Sequence, residues 1–340
     1  MMPFVPPPSD PPDLTVVLPF NNEAANVHEL FRRLYPVLGS LNLSYEILAL
    51  DDGSTDETYA LLLHERSRDL RLKVVRLARR FGKEAVLTCG LHLASGRAVV
   101  TMDSDLQHPP ETIPALVAAW RNGGKSVYAL RQERLTDTWA HRAFAQAFYA
   151  LFRRIAEVQI PQGAGDFRLL DRAVVEAINA LPERTRFMKG LMTWVGFPQA
   201  FVPFTVAPRV GGTTHWGFMN LVRFAMDGLA SFSTLPLRIW TWVGGAVSLF
   251  AFLYGLFLTL RTLLAGVDIP GYASLMVSVL LLSGLQLVGL GMLGEYLARV
   301  FTEVKGRPLY IVAESQGFDP ALPPVPTGSS VGPVARPGAR

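Results

Sequence analysis

From Leu14 onward the chain alternates short β-branched and aliphatic runs with longer stretches whose apolar positions recur every three or four residues. Four runs read as strands: Leu14-Thr-Val-Val-Leu18, Tyr45-Glu-Ile-Leu-Ala-Leu50, Lys73-Val-Val-Arg-Leu77 and Arg97-Ala-Val-Val-Thr-Met102. Strand and helix in alternation predict an α/β domain, a mostly parallel sheet with helices on both faces. Ligands of such folds sit beyond the carboxyl ends of the strands. Three of the four runs are followed directly by polar clusters there: Asn21-Asn22-Glu23, Asp51-Asp52-Gly53-Ser54 and Asp103-Ser104-Asp105. That coincidence marks a site.

The pattern changes after residue 209. Ile239–Leu260 holds no charged residue, and neither does Tyr272–Gly294. The first alone makes about 33 Å of helix against a hydrocarbon core of about 30 Å. The reading is a transmembrane hairpin, with helices over 236–264 and 271–298. Arg209, Arg223 and Arg238 precede it, and Arg299, Lys305 and Arg307 follow it. By the positive-inside rule the preceding domain is cytoplasmic on a multi-pass inner-membrane protein, with both termini on that side. In the juxtamembrane segment 210–235, Phe218, Leu221, Val222, Ala225, Leu229 and Phe232 share one face of a helix over Trp216–Ser233. It lies in the membrane interface or packs on the domain. The Pro-, Gly- and Ser-rich ends, 1–13 and 313–340, read as disordered tails. They frame a 14–209 domain, the hairpin and a cytoplasmic return segment at 299–312.

Composition agrees. Half of the 340 residues are hydrophobic, 18% are charged, and the mean hydropathy is +0.26, too apolar for a soluble protein of this length. The net charge of +4 comes without any run of five basic residues, which argues against a nucleic-acid partner. The single cysteine, Cys89, excludes a disulfide-stapled fold and reads as core. The first 13 residues lack the basic and apolar regions of a signal peptide.

Asp103 and Asp105, one residue apart at a strand end, are hard oxygen ligands of the kind that hold Mg²⁺ or Mn²⁺ against a substrate diphosphate; the alternative is a solvated turn that caps the next helix. No basic residue flanks the pair in sequence. Asp51 and Asp52, before the turn at Gly53, can accept hydrogen bonds from a base or ribose. Two decoys fall away. Gly289-Leu-Gly291-Met-Leu-Gly294 follows no strand, and Gly124-Lys125-Ser126 lacks the first glycine of a P-loop. His28, His64, His92, His108 and His141 show no metal-ligand spacing and read as surface or core residues. Arg131, Arg134, Arg142 and Lys189 could hold a phosphate.

Taken in order, Pro19-Phe-Asn-Asn22-Glu23, Asp51-Asp-Gly-Ser-Thr-Asp56, Phe81-Gly-Lys83-Glu84, Asp103-Ser-Asp-Leu-Gln107 and Gly165-Asp166-Phe-Arg168 resemble family 2 glycosyltransferases with the GT-A fold. More narrowly they resemble polyprenyl-phosphate glycosyltransferases, which include dolichol-phosphate mannose synthases and undecaprenyl-phosphate glucosyl- and aminoarabinosyltransferases. The similarity runs from about Leu14 through Val312, including Lys305-Gly-Arg-Pro-Leu-Tyr310. It implies inverting, metal-dependent transfer from a UDP- or GDP-sugar to a polyprenyl phosphate, with homo-oligomerisation left open. It also implies that Asp103, Asp105 and Gln107 hold Mg²⁺ or Mn²⁺ and that Pro19, Glu23, Asp51 and Asp52 contact the nucleotide. Lys83 and Arg209 are expected at the donor, Arg131 and Arg142 at the acceptor phosphate, and Asp166 with Asp105 at the reacting centre. Asn21-Asn22-Glu23-Ala24 stands where the family has Tyr-Asn-Glu-Glu, and Thr214-His215-Trp216 where it has Ser-Lys-Tyr or Ser-Lys-Trp. A histidine at 215 is only partly charged near neutrality. A processive polysaccharide synthase would need a Gln-x-x-Arg-Trp string, which is absent. An idle nucleotide-sugar-binding membrane subunit is the other rival, opposed by the intact Asp103, Asp105 and Asp166.

Overall fold

The computed structural model describes residues 11–131, 164–184, 186–205, 235–265 and 271–318. Its first half alternates strand and helix: β1 (Leu14–Phe20), α1 (Ala24–Ser40), β2 (Tyr45–Asp51), α2 (Thr58–Arg68), β3 (Leu72–Leu77), α3 (Lys83–Leu93), β4 (Ala98–Thr101), α4 (Ile113–Arg121) and β5 (Ser126–Arg131). Then come β6 (Ala164–Asp171), α5 (Arg172–Ala180), α6 (Met188–Trp194), β7 (Gln199–Phe204), the long helices α7 (Leu235–Ala265) and α8 (Tyr272–Lys305), and β8 (Val312–Gln316).

The strands form one mixed, mostly parallel sheet in the order β7-β5-β6-β4-β1-β2-β3-β8. β1 lies parallel to β2 and β4, β2 to β3, and β5 to β7. β6 runs antiparallel to β4 and β5, and β8 antiparallel to β3. The chain leaves β1 toward β2 and β3 and returns to β4 on the other side, so a topological switch point opens between β1 and β4, where α/β sheets bind ligands. Because β6 opposes β4, its amino-terminal end lies beside β4's carboxyl end. Arg168 pairs with Thr101, whose hydroxyl donates to the Asp166 carbonyl at 2.5 Å.

β1 is buried on both faces, which explains its unbroken apolar run. Leu14, Val16, Leu18 and Phe20 meet Val27, Leu30, Phe31, Leu34 and Leu38, which recur on one face of α1. Val17, Leu48, Leu50 and Val75 face α3, α5 and α6 on the other side. Gly90 lets α3 lie directly on the sheet, because a Cβ there would collide with Val17 and Leu50. Cys89 is buried in that helix as expected.

The structure is ordered past both domain boundaries that the composition suggests. Asp13, assigned to the first tail, accepts from the Ser44 amide and hydroxyl. Val312–Gln316, at the start of the second, extends the sheet as β8; its exposed, polar strand carries no apolar period to betray it. The return segment is pinned. Gly306, at φ +63°, ends α8, the Arg184 N–H donates to Glu303 on α8, and Tyr310 is buried with its hydroxyl 3.0 Å from His92 Nδ1. Among the described residues one stretch, Leu281–Lys305, is long and apolar enough to cross a membrane; the corresponding apolar part of α7, Trp242–Tyr254, is shorter. The juxtamembrane run Trp216–Ser233 lies outside the described residues, as do Arg134, Arg142, Arg209 and His215.

Candidate active site

The loops after β1 and β2 are stitched together by short polar side chains. Asn21 donates to the Asp52 carbonyl, and Asn22 accepts from the Thr55 amide while its own N–H donates to Ser54. Asn22 has φ +58°, a left-handed conformation that asparagine tolerates better than most residues. Gly53 is required twice over, since it has φ +64° and a Cβ would lie 2.7 Å from the Arg79 carbonyl carbon. Asp52 then clamps the loop that enters α3, accepting from the Phe81 and Gly82 amides at 2.6 and 2.9 Å. That clamp fixes Arg80 and Lys83 at the cleft.

On the β4 side, Leu106 adopts φ +63° while fully buried. The strain of a left-handed leucine, about 1–2 kcal/mol, is offset by burial of its side chain, and the sharp turn exposes Asp105 to the cleft. Gln107 donates its backbone N–H to Asp105 at 3.1 Å. The turn is closed by His108, whose ring stacks on Phe167 at 5.1 Å and meets Phe204 edge-on. Its Nδ1 accepts from the Asp103 amide at 3.1 Å, and burial lowers its pKa.

Lys83 joins the two sides. Its Nζ lies 2.5 Å from Asp103 Oδ1 and 2.7 Å from Asp166 Oδ2. Burial would depress this lysine, yet the two carboxylates raise it, so it stays charged. Burial would likewise raise Asp166, but Lys83 and then Lys189, 3.9 Å away, hold it well below the usual carboxylate range. The lack of a basic sequence neighbour therefore misleads: Asp103 has its cation, delivered from α3. Glu84, next along α3, accepts from the Met188 amide at 2.9 Å, and burial pushes it up to about 7. Arg168 is fully buried beneath, its Nε donating to the Gly165 carbonyl and its guanidinium 4.4 Å over the Tyr128 ring.

The cleft at the switch point is lined by Pro19, Phe20, Asn21, Glu23, Asp52, Arg80, Gly82, Lys83, Val86, Asp103, Ser104 and Asp105. Of the residues expected there, Pro19, Glu23, Asp52, Lys83, Asp103 and Asp105 converge, with Asp166 joined to them through Lys83. Asp51 does not line the cleft; it is fully buried, with Arg76 Nε 3.5 Å from Oδ2. The side chain of Gln107 is not among the lining groups, and Arg131 closes β5 opposite Phe204. Among the described residues no group of three acidic, histidine or cysteine side chains surrounds one point. Two carboxylates on one cleft still suit Mg²⁺ or Mn²⁺, which bind through one or two carboxylates and complete their shell with water and substrate phosphate. His108, read from the sequence as a surface or core residue, is packed on Phe167 and Phe204 beside the cleft, and sequence reasoning gives Arg80 and Glu84 no role. The adjacency of His108 to Gln107 was the available signal for the first, whereas Glu84 finds its partner 104 residues away.

A switch-point cleft with paired carboxylates and facing cations is where an open α/β sheet takes a ligand, and comparison with known proteins says which class of protein this is. Residues 15–178 match the model of glycosyl transferase family 2. An uncharacterized glycosyltransferase of Synechocystis is 49% identical over 90% of this chain and 96% of its own. The SfII prophage-derived bactoprenol glucosyl transferase of Shigella flexneri is 40% identical over 90% of this chain and 99% of its own, and a prophage bactoprenol glucosyl transferase homolog of Escherichia coli 39% over 88% and 98%. The chain belongs to family 2 of the glycosyltransferases and is a glycosyltransferase. Within the family it falls in the polyprenyl-phosphate glycosyltransferase branch. Among solved structures, glucosyl-3-phosphoglycerate synthase of Mycobacterium tuberculosis with Mn²⁺, UDP and phosphoglyceric acid is 21% identical, with a TM-score of 0.46 over 64% of this chain and 76% of that one, a likeness too loose to bear on the site.

Proposed function

We propose that this enzyme transfers a sugar from a nucleoside-diphosphate donor to a polyprenyl phosphate at the cytoplasmic surface of the membrane, inverting the anomeric centre. The observation that carries the reading is the convergence of Asp103, Asp105, Lys83 and Arg80 on one switch-point cleft, with Asp166 beside it between two lysines. The names of the Shigella and Escherichia relatives support bactoprenol phosphate chemistry as the acceptor side.

In the proposed reaction an acceptor phosphate oxygen forms a bond to the anomeric carbon as the bond from that carbon to the donor diphosphate breaks, and the nucleoside diphosphate leaves with the electron pair. A phosphate monoester has its second pKa near 6 and is mostly dianionic at neutrality, so no general base is needed. Asp166, held ionised by burial overcome by its lysines, is a weak base and a good orienting group. Lys83 and Arg80 bring positive charge to the donor side, and Lys189 adds a second cation at Asp166. Mg²⁺ or Mn²⁺ held by Asp103 and Asp105, with Gln107 nearby, would take up charge on the departing diphosphate. Asp52 and Glu23, which line the cleft, are proposed for the nucleoside, and Arg131, Arg142 and Arg209 for the phosphates.

The membrane reading rests on α7 and α8. Phe250, Leu253, Leu264, Leu281, Leu287 and Leu297 are all more than half exposed, an apolar surface that lipid covers and water would not tolerate. We read both helices as spans; β8 returning to the catalytic sheet supports the same side for both ends of the hairpin. Labelled UDP- and GDP-sugars incubated with the purified enzyme and undecaprenyl phosphate should move label into organic extract for one sugar. No extractable product from any donor would refute the acceptor.

A further inference from the structure

α3 presents two consecutive ionisable residues to different partners. Lys83 reaches Asp103 and Asp166, while Glu84 turns to α6 and accepts the Met188 N–H at 2.9 Å. Thr88, four residues on and so on the same helical face, places its hydroxyl 3.8 Å from Met188 Sδ. Met188 is fully buried, so the first residue of α6 is held by backbone and side chain together. The next residue is Lys189, whose Nζ stands 3.9 Å from the same Asp166 oxygen that Lys83 approaches at 2.7 Å. One helix thus sets both cations around Asp166, one directly and one through Glu84.

We propose that Glu84 is a positioning residue: by fixing the start of α6 it holds Lys189 at the Asp166 carboxylate beside Lys83, where the incoming acceptor phosphate needs a cation. This rests on the lipid-phosphate reading above. Three observations motivate it. The bond joins residues 104 apart in sequence and supplies the acceptor that the first N–H of α6 cannot find within its own helix. The carboxylate sits within the field of Lys83, Lys189 and Asp166, and burial pushes it up to about 7. The bond requires only an acceptor oxygen, which a glutamine amide also supplies.

The chemistry makes the role separable from simple packing. A displacement of about 1 Å at a reacting centre costs up to about a hundredfold in rate, and the loss here should fall on the acceptor side alone. The test uses the full-length enzyme with undecaprenyl phosphate, steady-state rates varied in each substrate, and direct binding of the nucleotide sugar. Glu84→Ala should lower kcat/KM for the lipid about ten- to a hundredfold while donor affinity stays within twofold. Glu84→Gln should recover most of that loss. Glu84→Asp, which keeps the charge but withdraws the oxygen by one methylene, should fall between and serves if alanine unfolds. In a Lys189→Met background, Glu84→Ala should cost little more, since residues acting through one contact are not additive. A glutamine variant as poor as alanine, full additivity with Lys189→Met, or equal losses in donor binding would each overturn the role. A wild-type enzyme that binds donor yet never labels the lipid would overturn the acceptor reading, and this role with it.

Discussion

Two carboxylate clusters sit at opposite ends of the same sheet. At the amino ends, Glu46 accepts from the Thr15 hydroxyl, the Ser95 amide and the Ser95 hydroxyl through Oε1, and from Lys73 Nζ through Oε2, all between 2.6 and 2.8 Å. Both oxygens are engaged, and the side chain is 6% exposed. At the carboxyl ends, Asp103 and Asp105 face a cleft, and Lys83, the cation that bridges Asp103 to Asp166, keeps 41% of its side chain in solvent. A closed carboxylate network fixes a fold; an open one, whose cation can be shared with a ligand, is available for chemistry. Burial alone would raise the pKa of both Glu46 and Asp166, and in both a lysine reverses it. The direction of the shift therefore does not separate structure from function, while access does.

The sharpest break of this comparison is a pair of substitutions. Asp105→Ala should lower transfer on the order of a thousandfold, several kcal/mol of lost charge stabilisation, with thermal stability unchanged. Asp166→Asn should cut turnover strongly while donor binding survives. In wild type the acidic limb of the rate profile should follow the acceptor phosphate near pH 6, because Asp166 titrates far below it. A phosphonate acceptor, with its higher second pKa, should move that limb upward; a limb that stays put and vanishes in Asp166→Asn would make Asp166 the base instead.

Glu46→Ala should do the reverse, costing about 2–4 kcal/mol of stability by orphaning the buried Thr15 hydroxyl and the Lys73 ammonium, with kcat of the folded enzyme intact. Its pH signature has a fixed sign. The folded-state pKa is lowered, so the contribution is complete above the ordinary glutamate range and is lost as pH falls through the lower folded value. Denaturation midpoints should accordingly fall less steeply on acidification in Glu46→Gln than in wild type. The smallest expected effect is at the return segment, where Tyr310→Phe gives up the contact with His92 and should cost about 1 kcal/mol, measured by denaturant titration. A loss of activity without loss of stability there would tie the return segment to catalysis.

The parallel half of the sheet was legible because burial on two faces writes its strands as unbroken apolar runs, and the two charge-free stretches fall within the long helices α7 and α8. Strand β8 was not legible, since an edge strand with outward polar residues has no such run. Motif order singled out Asp103, Asp105 and Asp166, and strand ends bring them near one another: the first two line the cleft and Lys83 links Asp166 to Asp103. The partners of those residues were hidden. Lys83 was expected at the donor, but its bridge between two carboxylates depends on α3 packing across β1, and the bond from Glu84 to Met188 depends on α6 closing over α3. His108 looked like any isolated histidine because Phe167 and Phe204, which orient its ring, are distant in sequence. Asp51, adjacent to the cleft residue Asp52, turned inward because neighbours on a strand point to opposite faces.

The claim that the open cluster carries the chemistry is tested most directly by the initial rate of lipid-linked sugar formation as Mg²⁺ or Mn²⁺ is titrated into enzyme stripped with chelator, in wild type and Asp105→Ala. The expected result is no transfer without metal, saturable recovery in wild type and almost none in the variant. Full turnover by wild type in excess chelator would contradict it.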